Sequence, residues 1–188
     1  TATSIRTAKP MAKTMKRMAR EIVDHNSDIQ SLVLLGILRR GRPLADRLAG
    51  LIGDIPGITP PVGSLATTLY RDDFKGAMDT SKMRGQTYFD FNVDDRTVVL
   101  VDDVLAAGRT IRAAMDEVMD YGRPSRIQLA CLIDRGHREL PIRADYLGWS
   151  IDTDAEDWVA VHLEELDGED VVLLQSRAAR LAEKEGKA

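Results

Sequence analysis

The chain has 188 residues, of which 44% are hydrophobic and 30% are charged, and its formal net charge is −4. This composition is typical of a globular domain and excludes a disordered or fibrous chain. No apolar run is long enough to span a membrane and no signal-peptide core is visible, so we expect a cytoplasmic protein without a membrane partner. The single cysteine, Cys131, excludes an internal disulfide, and its apolar surroundings predict a core residue.

The charge is unevenly distributed along the chain. Residues 1–47 carry ten Lys and Arg against four Asp and Glu, a balance of +6, so the remainder carries −10. A basic quarter on an acidic protein indicates either a face that meets an anion or an ordinary solvated helix face. Composition alone does not decide between these two interpretations.

The first quarter predicts a helix, then a strand, a loop and a second helix. Residues 1–8 are expected to be flexible, and residues 31–36 form a short buried strand. Pro43 suits the first turn of the second helix, and the loop before it is basic and rich in glycine, which suits a pyrophosphate group. The first helix carries a stripe of apolar residues at helical spacing: Met11, Met15, Met18 and Ile22.

The next region is less regular. Residues 53–63 are rich in Pro and Gly and predict a loop, and residues 66–70 predict a strand that leads into Arg71 and Asp72. Residues 74–96 are polar and lack a clear period. They predict a mobile loop or a hairpin over a site, with plain disorder as the alternative.

The centre of the chain combines a buried strand, an acidic pair, a small loop and a helix. Residues 98–101 form the strand, Asp102 and Asp103 follow it, and Thr110 stands where a helix N-cap belongs. The helix then predicts an apolar face made of Ile111, Ala114, Met115, Val118 and Met119.

This arrangement predicts a site for a ribose 5-phosphate. Backbone N–H groups at a helix start attract phosphate, and the small residues of loop 106–108 let it approach the main chain. The neighbouring carboxylates can hold sugar hydroxyls or Mg²⁺ with its water. Neither of the two common glycine-rich phosphate motifs is present at this loop. The alternative interpretation is a buried strand followed by a solvated acidic turn.

Strands and helices continue to alternate towards the end of the chain. Further strands are predicted at 127–133 and 146–149, followed by a hairpin of strands 158–163 and 171–174, and residues 176–188 form a charged, frayed tail. We therefore expect one domain, residues 1–188, of the α/β class, with a mostly parallel twisted sheet flanked by helices. Its ligand loops, which should converge at the carboxyl ends of the strands, are residues 37–42, 71–73, 102–110 and 134–138.

These segments together resemble the bacterial PyrR proteins, a family with the type I phosphoribosyltransferase fold and a hairpin or hood region. The central segment VDDVLAAGRTIRAAM (101–115) resembles the phosphoribosyl-pyrophosphate motif of that superfamily, and DRGHRELPIRAD (134–145) is specific to the family. Further similar segments are GILRRG (36–41), TLYRDD (68–73), GRP (122–124) and ELDG (165–168).

The resemblance implies a uracil phosphoribosyltransferase. Such an enzyme converts uracil and phosphoribosyl pyrophosphate (PRPP) to UMP and pyrophosphate with Mg²⁺. It also implies binding of pyr leader mRNA under the control of UMP or UTP, which attenuates pyrimidine biosynthesis genes, and a homodimer or tetramer. Two alternatives are a transferase that has lost RNA binding, and an RNA-binding regulator that uses its nucleotide site only as a sensor. A receiver domain also places an acidic pair after a strand, but near its N-terminus.

The resemblance also assigns roles to residues. Asp102 and Asp103 would hold the ribose hydroxyls and lie near Mg²⁺, directly or through water, and Arg135 is expected in the base pocket or in a salt bridge with Asp134 or Glu139. The catalytic residues would be Arg71, Asp72, Asp102 and Asp103. The other substrate-binding residues would be Arg39, Arg40, Gly41, Val104, Leu105, Ala106, Ala107, Gly108, Arg109 and Thr110. The RNA-binding residues would be Lys16, Arg17, Arg20, His25, His137, Arg138 and Arg143.

The chain departs from the family pattern at three places. Trp149 stands where the family commonly has a lysine, and residues 152–154 (DTD) replace a Pro-Thr-Ser stretch. Two added aspartates would repel an RNA phosphate, whereas a tryptophan can still stack on a base. Ala107 replaces a usual threonine in the phosphate loop, where backbone amides are expected to suffice.

Overall fold

Alternating strands and helices organise the part of the chain that the structure, a computed structural model, describes: residues 2–67 and 87–177. A short 3-10 turn, Ile29–Ser31, precedes the second strand. The elements in chain order are β1 (Thr3–Thr7), α1 (Ala8–His25), β2 (Leu32–Ile37), α2 (Gly41–Gly53), β3 (Val62–Leu65), β4 (Thr97–Leu105), α3 (Arg109–Tyr121), β5 (Arg126–Asp134), β6 (Tyr146–Ser150), β7 (Trp158–His162), α4 (Glu164–Asp167) and β8 (Val171–Gln175).

The larger sheet has the strand order β3-β2-β4-β5-β6, and its neighbouring strands run parallel. The strands β2, β4 and β5 therefore end at the same edge, which brings together the loops that follow them. This confirms the predicted parallel sheet and the convergence of residues 37–42, 102–110 and 134–138. Residues 71–73 lie outside the described residues.

Alternate residues of the sheet enter two separate cores. On β4, Val99 and Val101 face a core with α1 and α2, whereas Val98 and Leu100 face a core with α3. The predicted methionine stripe of α1 is confirmed, since all of its residues are buried, and so is the core position of Cys131. The predicted face of α3 is confirmed except at Met119, which is 55% exposed.

A small antiparallel sheet, order β1-β8-β7, packs over the first core. The prediction that residues 1–8 are flexible is wrong for Thr3–Thr7, because this strand pairs with β8. The predicted hairpin is confirmed as β7 and β8, with α4 between them. Of the predicted frayed tail, residues 178–188 lie outside the described residues.

Two predictions between α2 and β4 need correction. The strand after α2 is Val62–Leu65, because the parallel register with β2 pairs Leu34 with Val62 and Ile37 with Leu65. Residues 66 and 67 of the predicted strand 66–70 are not in a strand. Residues 87–96 do not form a loop over the site, because Tyr88 bridges to Ser64 and Val93 is buried. Residues 68–86, which hold the rest of both predictions, lie outside the described residues.

Candidate active site

The acidic pair lies inside the last residues of β4, and not after the strand as predicted. The ladder with β5 continues to the pair Leu105 and Asp134, so the strand extends past both carboxylates. Asp102 is only 8% exposed, and its carboxylate accepts a hydrogen bond from the backbone N–H of Asp103 at 3.0 Å. The ladder therefore fixes the backbone from which both carboxylates project.

A left-handed glycine turns the chain from β4 into α3. Gly108 is the N-cap residue, with φ of 95°, and α3 begins at Arg109. Thr110 is thus the second residue of the helix and not its N-cap, because glycine makes the turn that a side-chain cap was expected to make. A Cβ on Gly108 would lie 3.3 Å from Cβ of Ile142, so the turn is also closely packed.

The carbonyl groups of residues 105–107 all point towards the segment that follows β5. Each of them accepts a hydrogen bond from that segment, either from its backbone or from a guanidinium. The bonds run from Arg135 N to Leu105 O (3.0 Å), from Arg138 Nη1 to Ala106 O (2.7 Å), and from Glu139 N and Leu140 N to Ala107 O (3.0 and 3.2 Å). This loop is therefore held from one side along its whole length.

The N–H groups of the same peptides face the opposite direction. A trans peptide holds its C=O and N–H on opposite sides, so the N–H groups of Ala106, Ala107 and Gly108 point away from the bracing segment. Within the described residues, none of these three N–H groups donates a hydrogen bond. Together with the first N–H groups of α3, they form a set of donors that suits a phosphate.

Close backbone packing holds the loop after β2 against β4. A Cβ on Gly41 would lie 2.2 Å from the carbonyl oxygen of Val101, and one on Gly36 would lie 2.4 Å from Cα of Arg42. No side chain fits at either position. The Leu38–Arg39 peptide in this loop is cis. The predicted pyrophosphate loop is therefore placed directly beside the strand that carries the acidic pair.

The two arginines of this loop have different surroundings. Arg39 is exposed and makes no hydrogen bond or ion pair within the described residues. Arg40 donates to the carbonyl of Val161 and, at 2.9 Å, to the carboxylate of Asp167. The guanidinium of Arg40 thus joins the loop to the small sheet, and its assignment to pyrophosphate stays a prediction.

Negative charge is concentrated at the carboxyl edge of the sheet. Burial raises the pKa of the Cys131 thiol, and the carboxylates of Asp102, Asp103 and Asp134 raise it further. In the described ranges, no group of three or more His, Cys, Asp and Glu is arranged to hold a metal ion. This donor set suits Mg²⁺ that takes one or two carboxylates and completes its coordination with substrate oxygens and water.

A cleft of about 330 Å³ opens beside the ends of β5 and β6, lined by residues 134–138 and 150–153. Arg135 borders this cleft and donates to the carbonyls of Asp157 (2.6 Å) and Ala155 (3.3 Å). The predicted salt bridge of Arg135 with Asp134 or Glu139 is wrong, because these carboxylates pair with Arg138 and Arg109 instead. Arg135 therefore fixes one wall of the cleft.

The predicted RNA-binding residues of α1 are exposed along one side of the helix: Lys16, Arg17, Arg20 and His25. Arg17 donates to the carbonyls of Leu147 (2.9 Å) and Gly148 (2.8 Å), which places this cationic side next to β6. The ring of His25 contacts the ring of Tyr146 edge-on, with centroids 5.8 Å apart. These residues thus lie beside the edge strand of the larger sheet.

The other predicted RNA-binding residues lie on the segment between β5 and β6. His137 has φ of 60° and its Nε2 lies 2.9 Å from the carbonyl of Thr153, and Arg143 is exposed. Arg138 differs from both, because it is half-buried and its guanidinium is bound internally. Ile142, the residue before Arg143, packs into the second core, whereas α1 packs into the first.

One contact next to these cations was not anticipated from the sequence. The guanidinium carbon of Arg6 lies 5.3 Å from the ring centroid of Trp149, within the range of a cation–π contact. Arg6 belongs to β1, which the sequence presents only as a polar lead. It places a cation beside the tryptophan that replaces the expected lysine.

The predicted catalytic residues Arg71 and Asp72 lie outside the described residues.

Sequence comparisons give consistent matches along the chain. The phosphoribosyl transferase domain family matches residues 1–167. A protein of Pelotomaculum thermopropionicum called bifunctional protein PyrR is 54% identical over 165 residues, which are 87% of this chain and 91% of that protein. The protein of the same name from Clostridioides difficile is 48% identical over 89% of this chain and 94% of its own length.

Solved structures with a similar fold include two purine transferases. A hypoxanthine phosphoribosyl transferase of Trypanosoma cruzi superposes with a TM-score of 0.71 at 17% identity, over 97% of this chain and 96% of that one. A hypoxanthine-guanine phosphoribosyltransferase of Bacillus anthracis gives 0.67 at 15% identity, over 94% and 99%. At these identities the likeness concerns the fold alone.

In residues 2–67 and 87–177, no helix combines the length and apolarity needed to cross a membrane.

Proposed function

Because the chain belongs to the phosphoribosyltransferases and, among them, to the PyrR proteins, we propose that it makes UMP and pyrophosphate from uracil and PRPP and also regulates pyr genes by binding their leader mRNA. The observation that carries the enzymatic part is the set of N–H groups at residues 106–108, beside Asp102 and Asp103, that donate no hydrogen bond to any described residue. The ribose of PRPP carries a phosphate on C5 and hydroxyls on C2 and C3, so PRPP needs a phosphate site next to a hydroxyl site.

In this proposal each loop at the carboxyl edge contacts a different part of the substrates. Residues 106–110 bind the 5-phosphate through backbone N–H groups, and the carboxylates of Asp102 and Asp103 accept from the ribose hydroxyls. Arg39 and the backbone of Gly41 bind the pyrophosphate, and uracil occupies the cleft beside Arg135. Arg71 and Asp72 are proposed to complete the site from the sequence alone.

Departure of pyrophosphate from C1 of the ribose leaves positive charge on the sugar ring, so the site must stabilise both the ring and the leaving group. The carboxylates of Asp102 and Asp103, bound to the ribose hydroxyls, would stabilise the positive charge of the ring. Arg39 neutralises the leaving group, and the fixed loop 106–108 holds the 5-phosphate so that C1 faces the cleft. Mg²⁺ bound by PRPP and these carboxylates, directly or through water, would neutralise further charge on pyrophosphate.

The enzymatic part is tested by measuring UMP formation from uracil and PRPP with Mg²⁺. We expect Asp102→Ala and Asp103→Ala each to abolish turnover while circular dichroism and the thermal midpoint stay close to those of the original chain. Asp120→Ala is a matched control, since this exposed carboxylate lies in the last turn of α3, at the end of the helix opposite the phosphate loop. Unchanged turnover in both aspartate variants would overturn the proposed site.

The regulatory part is supported by the cations that flank β6 and by the bifunctional relatives. Two groups of cations would contact RNA phosphates: Lys16, Arg17 and Arg20 on α1, and His137 and Arg143 between β5 and β6. Arg6 supplies a cation beside Trp149, where the family commonly has a lysine. Such contacts predict affinity that falls as salt is raised.

Titration with pyr leader RNA at two salt concentrations tests the regulatory part. We expect saturable binding that UMP or UTP strengthens, and a loss of affinity in Arg20→Gln and Arg143→Gln. Binding that is absent at both salt concentrations would leave a uracil phosphoribosyltransferase alone. RNA binding without UMP formation would instead indicate a regulator that uses the site as a nucleotide sensor. Assembly into a homodimer or tetramer and a cytoplasmic location remain predictions.

A further inference from the structure

The guanidinium of Arg138 is bound inside the protein by three acceptors on three different segments. Nη1 donates to the carbonyl of Ala106 (2.7 Å), Nε donates to the carbonyl of Ile142 (2.6 Å), and Nη2 pairs with the carboxylate of Asp134. The Arg138 side chain is only 24% exposed. Three of its five N–H donors therefore serve internal contacts.

The acceptor partner of this guanidinium is itself held in its charged form. Burial tends to raise the pKa of Asp134, but the hydrogen bonds from Arg138 and from the N–H of Gly136 outweigh it, and the pKa is lowered. Asp134 is therefore ionised at neutral pH and keeps Arg138 oriented at the end of β5. The ion pair ties the position of the guanidinium to the sheet.

The contact with Ala106 acts on the proposed phosphate site through one peptide. The bond from Arg138 holds the carbonyl of Ala106, and the N–H of Ala107 belongs to the same planar unit on its other side. Fixing that carbonyl therefore aims the Ala107 N–H at the phosphate position. The carbonyls on either side, of Leu105 and Ala107, are bound by backbone N–H groups, so Ala106 is the one member of this series held by a side chain.

We propose that Arg138 is a positioning residue for PRPP: it orients the Ala107 N–H for the 5-phosphate by holding the Ala106 carbonyl. This inference rests on the proposed function of loop 106–108. The planar guanidinium of an arginine can donate to three acceptors in three directions. A lysine has the same charge but would keep only some of these hydrogen bonds.

The test compares Arg138→Gln and Arg138→Lys with Arg112→Gln. Arg112 also pairs with a carboxylate, that of Asp116 at 3.2 Å, but it is 62% exposed on α3 and outside the proposed sites. We expect Arg138→Gln to raise KM for PRPP about tenfold, which is the worth of one lost hydrogen bond to a charged group. KM for uracil and kcat should change by less than about threefold, Arg138→Lys should be intermediate, and Arg112→Gln should match the original chain.

Several results would overturn the inference. Loss of RNA binding in Arg138→Gln with an unchanged KM for PRPP would make Arg138 an RNA contact. An equal rise in KM for both substrates, together with a lower thermal midpoint, would show that Arg138 has a merely structural role. If Arg138→Gln does not fold, Asp134→Asn provides the same comparison, with a smaller rise in KM for PRPP expected and no rise contradicting the inference.

Calorimetric titration with PRPP separates this inference from the proposed function. If the original chain binds PRPP but forms no UMP, the proposed function fails, while weaker PRPP binding by Arg138→Gln still supports the positioning role. If the original chain forms UMP and Arg138→Gln binds PRPP equally well, only the positioning role fails.

Discussion

The two loops that follow β2 and β4 serve the same proposed substrate, but different interactions hold them in place. Hydrogen bonds from the segment after β5 hold the loop after β4, and one of them comes from the Arg138 side chain. Close backbone contacts at Gly36 and Gly41, together with the Arg40 link to the small sheet, hold the loop after β2. The first loop should therefore loosen gradually when single contacts are lost, whereas the second should fail abruptly when a side chain is added.

The largest effect is expected from a methyl group in the packed loop. In Gly41→Ala the new Cβ would lie 2.2 Å from the carbonyl oxygen of Val101, so the backbone must move. We expect UMP formation to fall about 100-fold or more, since shifts near 1 Å in a site can have effects of this size. Gly50→Ala is the control, because nothing lies within 4 Å of its Cβ in the same helix and the change should slightly stabilise the protein. Equal activity in the two variants would contradict the packing account.

The two neighbouring arginines should separate binding from stability. Arg39 is exposed without a partner in the described ranges, so Arg39→Gln should raise KM for PRPP roughly tenfold and leave the thermal midpoint unchanged. Arg40→Gln loses its contacts with Val161 and Asp167, so the free energy of unfolding should fall by about 1.5 kcal/mol. Kinetics and urea unfolding of both variants check this pair. The reverse pattern would show that Arg40, and not Arg39, contacts the substrate.

A smaller effect is expected at the turn of the phosphate loop. Ala at position 108 would have to adopt φ of 95°, at a cost of about 1 kcal/mol, and its Cβ would crowd Ile142. Gly108→Ala should raise KM for PRPP about fivefold. Gly57→Ala is a matched control, with φ of 76° and open space around its Cβ, and it should lose similar stability without a kinetic change. A rise in KM for PRPP in both variants would show that strain alone is responsible.

The smallest effect concerns the ion pairs of α2, the helix that follows the loop after β2. Arg47 on α2 binds Glu165 and Asp170 beside the small sheet, at 2.6 and 2.7 Å. Its hydrogen bond lowers the pKa of Glu165. For Asp170, burial tends to raise the pKa, but the contacts with Arg47 and the Glu164 N–H produce a net lowering. Both carboxylates therefore stabilise the fold above their ordinary pKa near 4, and this contribution is lost as pH falls through the lowered values.

Urea unfolding at pH 7 and pH 3 checks the acid sensitivity. Asp170→Asn should lose less stability between the two pH values than the original chain, by no more than about 1 kcal/mol because the pair is partly exposed. Asp46→Asn is the control, since its pair with Arg42 is more exposed. Identical pH dependence in the original chain and Asp170→Asn would show that the pair of Arg47 and Asp170 does not contribute to the acid sensitivity.

Much of the fold could be predicted because its signals are local. The buried strands β2, β4 and β5 are short apolar runs, and the stripe of α1 repeats at helical spacing. Strand β1 could not be predicted, because Thr3–Thr7 has little apolar character of its own and acquires its structure by pairing with β8, far along the chain. The shift of β3 has the same cause, since its register is set by β2.

The candidate site was predictable in its place and less so in its contacts. Parallel topology alone brings the acidic pair and the two loops to one edge of the sheet. The partners of long side chains depend on distant segments, so the sequence did not reveal that Arg40 and Arg138 bind acceptors within the protein. A basic residue in a sequence indicates available charge, but its direction is decided by tertiary neighbours.

The central claim is that the N–H groups of Ala106, Ala107 and Gly108 bind the 5-phosphate of the ribose. Titration of the isotope-labelled protein with ribose 5-phosphate, followed by the amide signals of these residues in NMR spectra, tests it most directly. We predict saturable shifts of the amide signals of all three residues. The affinity obtained from these shifts should be lower in Arg138→Gln and unchanged in Arg112→Gln. Saturable shifts confined to the cleft at residues 134–138 and 150–153, with the three loop amides unmoved, would contradict the account.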